Sequence, residues 1–306
     1  MAYPFRTNLA AGTYDDADAF ADMLNGRTIW LTANAASGSN SADALAALEA
    51  AFAEADCTIG RQLVFLEDGA PRAEDLDAAG VDLVAVFTGD GTINAVVTGL
   101  YGWGGAVLVL PGGTMNLLAG RLHGDADAAT IVARVAAGRF RRVRPEIVRS
   151  RHGDGLTGIL AGPGTAWNNV REAMRETDVL GIVSTMTDAI GESTAGAMVV
   201  LREPDTGRTE GYSLVMVTPL AEGLEADGYY AETIGDYARQ GIALLRRNFR
   251  GGPHDELGRH PALRLACAEG GPVGMLIDGE PCDGAAEETF TLARCDVDLI
   301  ETIGDA

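Results

Sequence analysis

Asp90 lies inside a glycine turn, Thr88-Gly89-Asp90-Gly91-Thr92, and a carboxylate in that setting narrows the chemistry. The glycines allow positive φ and let a ligand approach the backbone with no Cβ in the way. A helix starting after the turn would aim its unpaired N–H groups at an anion. A carboxylate beside a phosphate repels it unless a cation or a transferable proton lies between them, so Asp90 points to Mg2+ or to proton transfer. A second turn of the same kind, Pro111-Gly112-Gly113-Thr114-Met115-Asn116, follows closely. A late tripeptide, Asp278-Gly279-Glu280, adds two more carboxylates, although by itself it is a common β-turn sequence.

The elements that must position these turns are legible as hydrophobic patterns. Val81 and Leu83 to Phe87 make a nearly continuous apolar run, as expected of a strand covered on both faces. Val107 to Leu110 is a second such run, leading through its turn to a helix over Leu117 to Leu122. Upstream, Thr28 to Thr32 predicts the first strand and Asn34 to Asn40 its turn. Ser41 or Asn40 then caps a helix with apolar face Leu45, Leu48, Phe52 and Ala55. Gln62 to Leu66 predicts a strand, Arg72 to Ala79 a helix, and Asp125 the cap of a helix running through Val135 and ended by Gly138. Strands alternating with helices imply parallel βαβ crossovers in a three-layer domain. Ser37, Asn40, Asp90, Thr92, Thr114 and Asn116 would then share the carboxyl edge of one sheet, where open α/β sheets bind ligands.

The pattern changes from Phe140. Short alternating stretches (Leu156 to Ala161, Met198 to Leu201, Tyr212 to Thr218, Leu263 to Ala268, Val273 to Ile277, Thr289 to Leu292, Val297 to Ile300) predict an antiparallel, β-rich second domain. Two helical interruptions are expected, near Trp167 to Glu176 and Tyr237 to Asn248. The domain division is thus 1–26 as an N-terminal extension, 27–138 as the α/β domain and 139–306 as the β-rich domain, its last strand free to return to the first. Arg139, Arg141, Arg142, Arg144, Arg149 and Arg151 cluster at the junction. They read either as a solvated strand face or as cleft groups attracting phosphate.

Bulk properties set the remaining bounds. The chain has 306 residues, a net charge of −21 and 23 basic residues, every one of them arginine. Without lysine there is no Walker-type phosphate loop, so any phosphate clamp must use backbone N–H groups, arginine or metal. Such acidity argues against nucleic acid. It is also awkward for an anionic membrane, which would have to be met through an apolar patch or a local arginine cluster. No run approaches the about 18 apolar residues of a transmembrane helix. The N-terminus lacks a secretory signal pattern, and the four cysteines show no metal-ligand spacing, which together point to the cytoplasm.

The pair TGDGTINAVVTGL and LPGGTMNLLAGRL resembles the nucleotide-binding signatures of the diacylglycerol kinase catalytic family, which includes bacterial lipid kinases, sphingosine kinases and ceramide kinases. Asn34-Ala-Ala-Ser37-Gly38 is similar to that family's first-strand turn. Ala161-Gly162-Pro-Gly164-Thr-Ala166 is similar to its Gly-x-Gly segment, and Ile277 to Pro281 to its Asp-Gly-Glu motif. In the two glycine signatures Thr88 stands for a usual glycine, Ala95 for a usual glutamate and Leu117 for a usual aspartate, and in the later acidic segment, Leu224 to Tyr230, Ala226 stands at a usually acidic position.

The resemblance implies an α/β nucleotide-binding domain of the kind shared by lipid kinases and NAD kinases, followed by a β-sandwich for the lipid. It implies ATP and Mg2+ as cofactors, with Asn34, Ser37, Gly38, Thr88, Gly89, Gly91, Thr92, Asn94, Gly112, Gly113, Thr114 and Asn116 around the nucleotide. Asp90 would lie near the metal, and Glu280 or Asp278 would take the proton from a lipid hydroxyl, with Asp90 as the rival base. Leu224 to Tyr230 loosely resembles a structural Mg2+ segment, which makes Asp227 a second candidate ligand. The reaction expected is transfer of the γ-phosphate of ATP to a lipid alcohol, such as diacylglycerol, a sphingoid base or ceramide, at a peripherally contacted membrane. A homodimer is left open. The alternatives are an inactive lipid- or nucleotide-binding homologue and an NAD kinase, which shares the Gly-Asp-Gly-Thr turn.

Overall fold

Alternating apolar strands and helix-forming segments build a sheet covered on both faces in the first part of the chain. Thr28–Ala33 (β1) is followed by Ala42–Glu54 (α1), Thr58–Val64 (β2), the short helices Phe65–Asp68 (α2) and Ala73–Ala78 (α3), and Leu83–Thr88 (β3). Asp90–Gly99 (α4), Ala106–Pro111 (β4), Leu117–His123 (α5), Ala128–Ala136 (α6) and Phe140–Val143 (β5) complete the series. The computed structural model describes residues 23–33, 41–163, 198–230 and 254–302. The chain divides into two compact units, Met1–Pro145 with Arg294–Ala306, and Glu146–Ala293.

In the first unit the strand order is β2-β1-β3-β4-β17-β5, where β17 is Asp298–Thr302 from the far end of the chain. The pairs β1/β2, β1/β3, β3/β4 and β4/β17 are parallel, whereas β5 runs antiparallel to β17. Strand direction and side-chain alternation explain the two covered faces. Leu83, Ala85, Phe87, Leu108 and Leu110 pack with Leu48 and Phe52 of α1 and with Ile131, Val132 and Val135 of α6. The intervening Val84, Val86, Val107 and Val109 are equally buried, and α4 and α5 pack against β3 and β4. Each such aliphatic side chain contributes on the order of 1.5–3 kcal/mol by leaving water.

Several local details differ from the pattern reading. Helix α1 is capped by Ser41, whose hydroxyl accepts from Ala44 N–H at 3.1 Å. Helix α6 is capped by Asp127 rather than Asp125, its carboxylate accepting from Thr130 N–H at 2.7 Å. Strand β2 begins at Thr58 and stops at Val64, and Leu66 instead projects from α2, 70% exposed. The unit boundary falls after Pro145 rather than after Gly138, since β5 completes the first sheet beside the returning β17. The extension 1–22, the turn 34–40 and both expected helical interruptions lie outside the described residues.

Among the described residues, the strands of the second unit pair antiparallel. Its described strands are Glu146–Ser150 (β6), Gly153–Gly155 (β7), Ile159–Pro163 (β8), Val199–Glu203 (β9), Leu214–Leu220 (β10), Gly223–Tyr229 (β11) and His254–His260 (β12). Ala262–Cys267 (β13), Val273–Ile277 (β14), Glu280–Asp283 (β15) and Glu287–Arg294 (β16) follow. They form one sheet in the order β12-β11-β10-β8-β14-β15 and another in the order β7-β6-β16-β13-β9. A single apolar core draws on both, including Val215, Val217, Leu224 and Met275 from the first and Val148, Leu201, Leu265 and Phe290 from the second. Strands β7, β11, β12 and β15 were not expected from the sequence. Strand β12 is an edge with only Leu257 buried, so it carries little hydrophobic signal. Among the described residues, no helix is long and apolar enough to cross a membrane.

One buried polar residue fastens the returning strand. His123, at the end of α5, places Nε2 2.9 Å from the Val109 carbonyl and Nδ1 3.0 Å from the Thr302 hydroxyl. The Thr302 N–H also reaches Nδ1, at 3.3 Å. A neutral imidazole that donates from Nε2 and accepts at Nδ1 satisfies all three contacts. Burial pushes its pKa down to about 4, the Val109 bond opposing this and Arg134 adding to it. A histidine depressed in this way is protonated earlier in the unfolded chain, so stability is fully present above pH 6.5 and is lost as pH falls from there towards 4. Between pH 7 and pH 5 the loss should amount to about 2 kcal/mol. His123→Gln should be weaker at pH 7 yet lack this part of the pH dependence. Urea unfolding of both proteins at the two pH values measures it, and equal losses would remove His123 from the account.

Candidate active site

The two glycine turns meet because their strands pair. Thr88 is in register with Pro111 at the ends of β3 and β4, so the residues after them emerge side by side at the carboxyl edge of the sheet. Strand order 2-1-3-4 also puts the reversal of direction between β1 and β3, the place where open α/β sheets leave a crevice. Gly112 N–H donates to the Thr88 carbonyl at 3.3 Å. A Cβ on Gly113 would fall 2.5 Å from Gly89 Cα, so only glycine permits this approach.

Each turn is also fixed internally. Asn116 adopts a left-handed conformation, φ 52°, which asparagine tolerates better than most residues. Its side-chain oxygen accepts from Gly113 N–H at 2.7 Å and its amide donates to the Gly113 carbonyl at 2.8 Å. Thr88 is buried, and its hydroxyl donates to the Gly89 carbonyl at 3.2 Å. Asp90 opens α4, and its Oδ1 accepts from Leu118 N–H, at the start of α5, at 3.2 Å. The carboxylate therefore spans from one turn to the helix after the other. Gly89 is the N-cap of α4, which has no side-chain capping bond. Gly91, Thr92 and Asn94 lie in the first turns of α4, while Gly112, Gly113 and Thr114 form the facing loop. These sequence-selected residues come together at one edge; Asn34, Ser37 and Gly38 lie outside the described residues.

The late acidic turn has a different character. Asp278 and Gly279 have φ of 47° and 87° and join β14 to β15 as a two-residue hairpin, with Ile277 paired to Glu280. Positive φ at both central residues is the signature of a type I′ turn. The Asp278 side chain is buried, with Oδ2 accepting from Leu156 N–H at 2.7 Å. Its Oδ1 accepts from Thr157 N–H at 2.8 Å, the Thr157 hydroxyl at 2.6 Å and Gly158 N–H at 3.2 Å. Glu280, two residues on, is exposed.

Asp227 lies within β11, buried between β10 and β12 beside a register shift at Ala226/Asp227, and not in a loop. The neighbouring Gly228 has a packing explanation, since a Cβ there would fall 2.6 Å from the Tyr212 ring. Among the described residues, no group of three or more His, Cys, Asp or Glu side chains could hold a metal ion. The arginine cluster is largely absorbed by carboxylates. Arg141 pairs with Glu301, Arg142 and Arg144 with Asp298, Arg149 with Asp154, and Arg151 with Glu288. The solvated-face reading therefore accounts for these residues. Burial raises the Glu288 carboxyl pKa, but hydrogen bonds from Arg151, Ala285 N–H and His152 outweigh it and hold the group below its ordinary value.

Residues 28–145, which contain both interlocked turns, match the diacylglycerol kinase catalytic domain. No curated protein matches the chain. Among solved structures, it resembles a "putative diacylglycerol kinase" from Bacillus anthracis str. Sterne with 15% identity and a TM-score of 0.60, covering 90% of this chain and 95% of the other. A diacylglycerol kinase structure from the same organism gives 14% identity and a TM-score of 0.57, covering 90% and 97%. At these identities the likeness speaks for the fold. The mixed parallel sheet with helices, followed by antiparallel sheets, is thus common to the kinase-like neighbours and this chain.

Sequence reasoning found the turns but missed what locks them. Asn116 was legible as a site residue, yet its left-handed backbone was not. Thr157 escaped notice altogether, since a threonine between Leu156 and Gly158 gives no signal until a buried carboxylate faces it. Because the turns touch through bare backbone, Gly113→Ala should destabilise the first unit by about 1–3 kcal/mol through overpacking. Thermal or urea unfolding checks this. An unchanged midpoint would mean the two turns are not held together as described.

Proposed function

We propose that this protein is an ATP- and Mg2+-dependent lipid kinase, transferring the γ-phosphate to a lipid hydroxyl. The observation that carries the reading is the pair of interlocked turns, Gly89 against Gly113 with Asp90 bridging to Leu118, inside the segment that matches the kinase family. The donor set suits a nucleotide. The N-cap of α4 is Gly89, which has no side chain to cap it, and an anion such as phosphate is favoured at a helix N-terminus. Asp90 is the carboxylate that would hold Mg2+. That cation commonly binds through one or two carboxylates together with substrate phosphates, so a preformed cage of three protein ligands is not required.

Phosphoryl transfer asks the protein mainly for positioning and charge stabilisation. In this reading the glycine turns and the start of α4 orient the phosphates, and the metal supplies charge neutralisation when bound. An alcohol attacks better when a carboxylate takes its proton as that proton becomes acidic. We assign the role to Glu280, since Asp278 already accepts from Leu156, Thr157 and Gly158 N–H and from the Thr157 hydroxyl, about as many donors as a carboxylate can take. The lipid alcohol would be a diacylglycerol, a sphingoid base or a ceramide, met at a membrane surface by peripheral contact.

Incubation with radiolabelled ATP, Mg2+ and a panel of these lipids should label at least one of them. Asp90→Asn and Glu280→Gln should each reduce labelling by about 10²-fold or more, 10² being roughly the lower end of the range for acid–base catalysis, without loss of folded protein by circular dichroism. No labelled lipid by the wild type, with NAD labelled instead, would replace this reading by that of a NAD kinase. Neither labelled would favour an inactive homologue.

A further inference from the structure

The second unit contains an internal anion site built from protein alone. Three successive backbone N–H groups, from Leu156, Thr157 and Gly158, converge on the Asp278 carboxylate, and the Thr157 hydroxyl adds a fourth donor at 2.6 Å. Consecutive N–H groups turned to one side form a concave nest for an anion. Here the anion is a side chain of the same chain. The link is reciprocal, because Asp278 N–H donates to the Gly158 carbonyl at 3.2 Å. Directly beside it, Ile159 of β8 pairs with Ile277 of β14.

The backbone around the nest has little freedom to shift. A Cβ on Gly158, whose φ is 157°, would fall 2.8 Å from the Val217 carbonyl oxygen, and one on Gly155 would fall 2.8 Å from the Gly158 carbonyl oxygen. Leu156 is buried. The hairpin carrying Glu280 has two central residues, and Asp278 is the first of them. Fixing the Asp278 carboxylate therefore fixes the turn, and the turn sets the origin of β15 at Glu280. An exposed glutamate at the end of a tight hairpin would otherwise sample several orientations.

We propose that Thr157 and Asp278 are positioning residues for Glu280: the 156–158 nest grips the Asp278 carboxylate and so aims the hairpin from which Glu280 would act on the acceptor alcohol. This rests on the kinase reading above. In it, Asp278 takes no proton from substrate, because the nest's donors occupy its lone pairs. Thr157 contributes by its hydroxyl, the one donor of the four that a substitution can remove without altering the backbone.

The test compares Thr157→Val, which keeps shape but removes the hydroxyl, with Thr157→Ser, which restores it, and with Asp278→Asn and Glu280→Gln. With the full chain, kcat and KM for ATP and for the labelled lipid are measured, together with ATP-binding stoichiometry as a count of folded protein. Thr157→Val should lower kcat roughly ten- to a hundredfold, the scale expected of a small misplacement. KM for ATP and the binding stoichiometry should stay unchanged, and Thr157→Ser should recover most of the rate. Asp278→Asn should retain measurable turnover where Glu280→Gln does not. An unchanged kcat in Thr157→Val beside an inactive Glu280→Gln would overturn the positioning role and leave the kinase reading standing. Equal, complete loss in Asp278→Asn and Glu280→Gln at full ATP stoichiometry would make Asp278 a chemical participant and overturn it too. A wild type that labels no lipid would overturn both the kinase reading and the role of Glu280 within it. Hydrogen exchange over residues 277–283, faster in Thr157→Val than in wild type, would in that case still report the clamp as a purely structural device.

Discussion

The approach of Gly113 to Gly89 is the contact on which the candidate site depends. Two parallel strands in register deliver two turns to one edge, but strand pairing alone leaves side chains between the loops that follow. Removing the Cβ at Gly113 lets backbone meet backbone, with only 2.5 Å from Gly89 Cα to the place where that Cβ would stand. Asp90 then reaches the N–H of Leu118, and Asn116 can fold its side chain back onto Gly113. Each of these bonds is modest, about 1 kcal/mol net or somewhat more where a charge takes part. Their joint effect is geometric, since they hold two loops in one arrangement without a ligand.

A second constraint comes from the charge of the chain. With 44 acidic residues against 23 arginines and no lysine, a buried carboxylate must often be satisfied by backbone or by the planar guanidinium. Both solutions are present. Asp278 is held by three N–H groups and a hydroxyl. Glu288, with its side chain fully buried, takes two bonds from Arg151, one from Ala285 N–H and one from His152. Asp154 takes a two-pronged contact from Arg149. Arginine suits this use because its fork matches a carboxylate and it never loses its charge. The same use explains why the basic cluster after Arg139 is a poor phosphate clamp, its guanidinium groups being engaged within the fold.

The sequence made the first unit legible because burial on both faces leaves a dense apolar signature. Val81 with Leu83 to Phe87, and Val107 to Leu110, were recognisable as strands from composition alone, and the glycine turns after them as ligand-facing loops. The second unit was legible as a class but not strand by strand. His254–His260 carries two histidines and two acidic residues among seven and buries one leucine, so alternation had nothing to reveal. Gly223–Tyr229 failed in the opposite way. It is buried almost throughout, but Asp227 and Gly228 towards its end gave it a loose resemblance to a structural Mg2+ segment. The glycine is there for the Tyr212 ring. The return of β17 was foreseen only as an option, because a strand's partner is set by long-range packing that no local pattern encodes.

The Asp-Gly-Glu tripeptide illustrates what a motif conceals. By spacing it offers two equivalent carboxylates, and chemistry alone cannot choose between them. The hairpin separates them: the first residue of the turn points its carboxylate inward to a nest of N–H groups, while the third lies on the exposed edge strand β15. Positive φ at Asp278 is part of the same arrangement, since a tight hairpin of this hand needs it and aspartate tolerates it. One carboxylate thus serves the fold, and the other is the one the proposed reaction would use. A motif of this kind is best read as a structural residue and a chemical residue joined by a glycine that allows the turn.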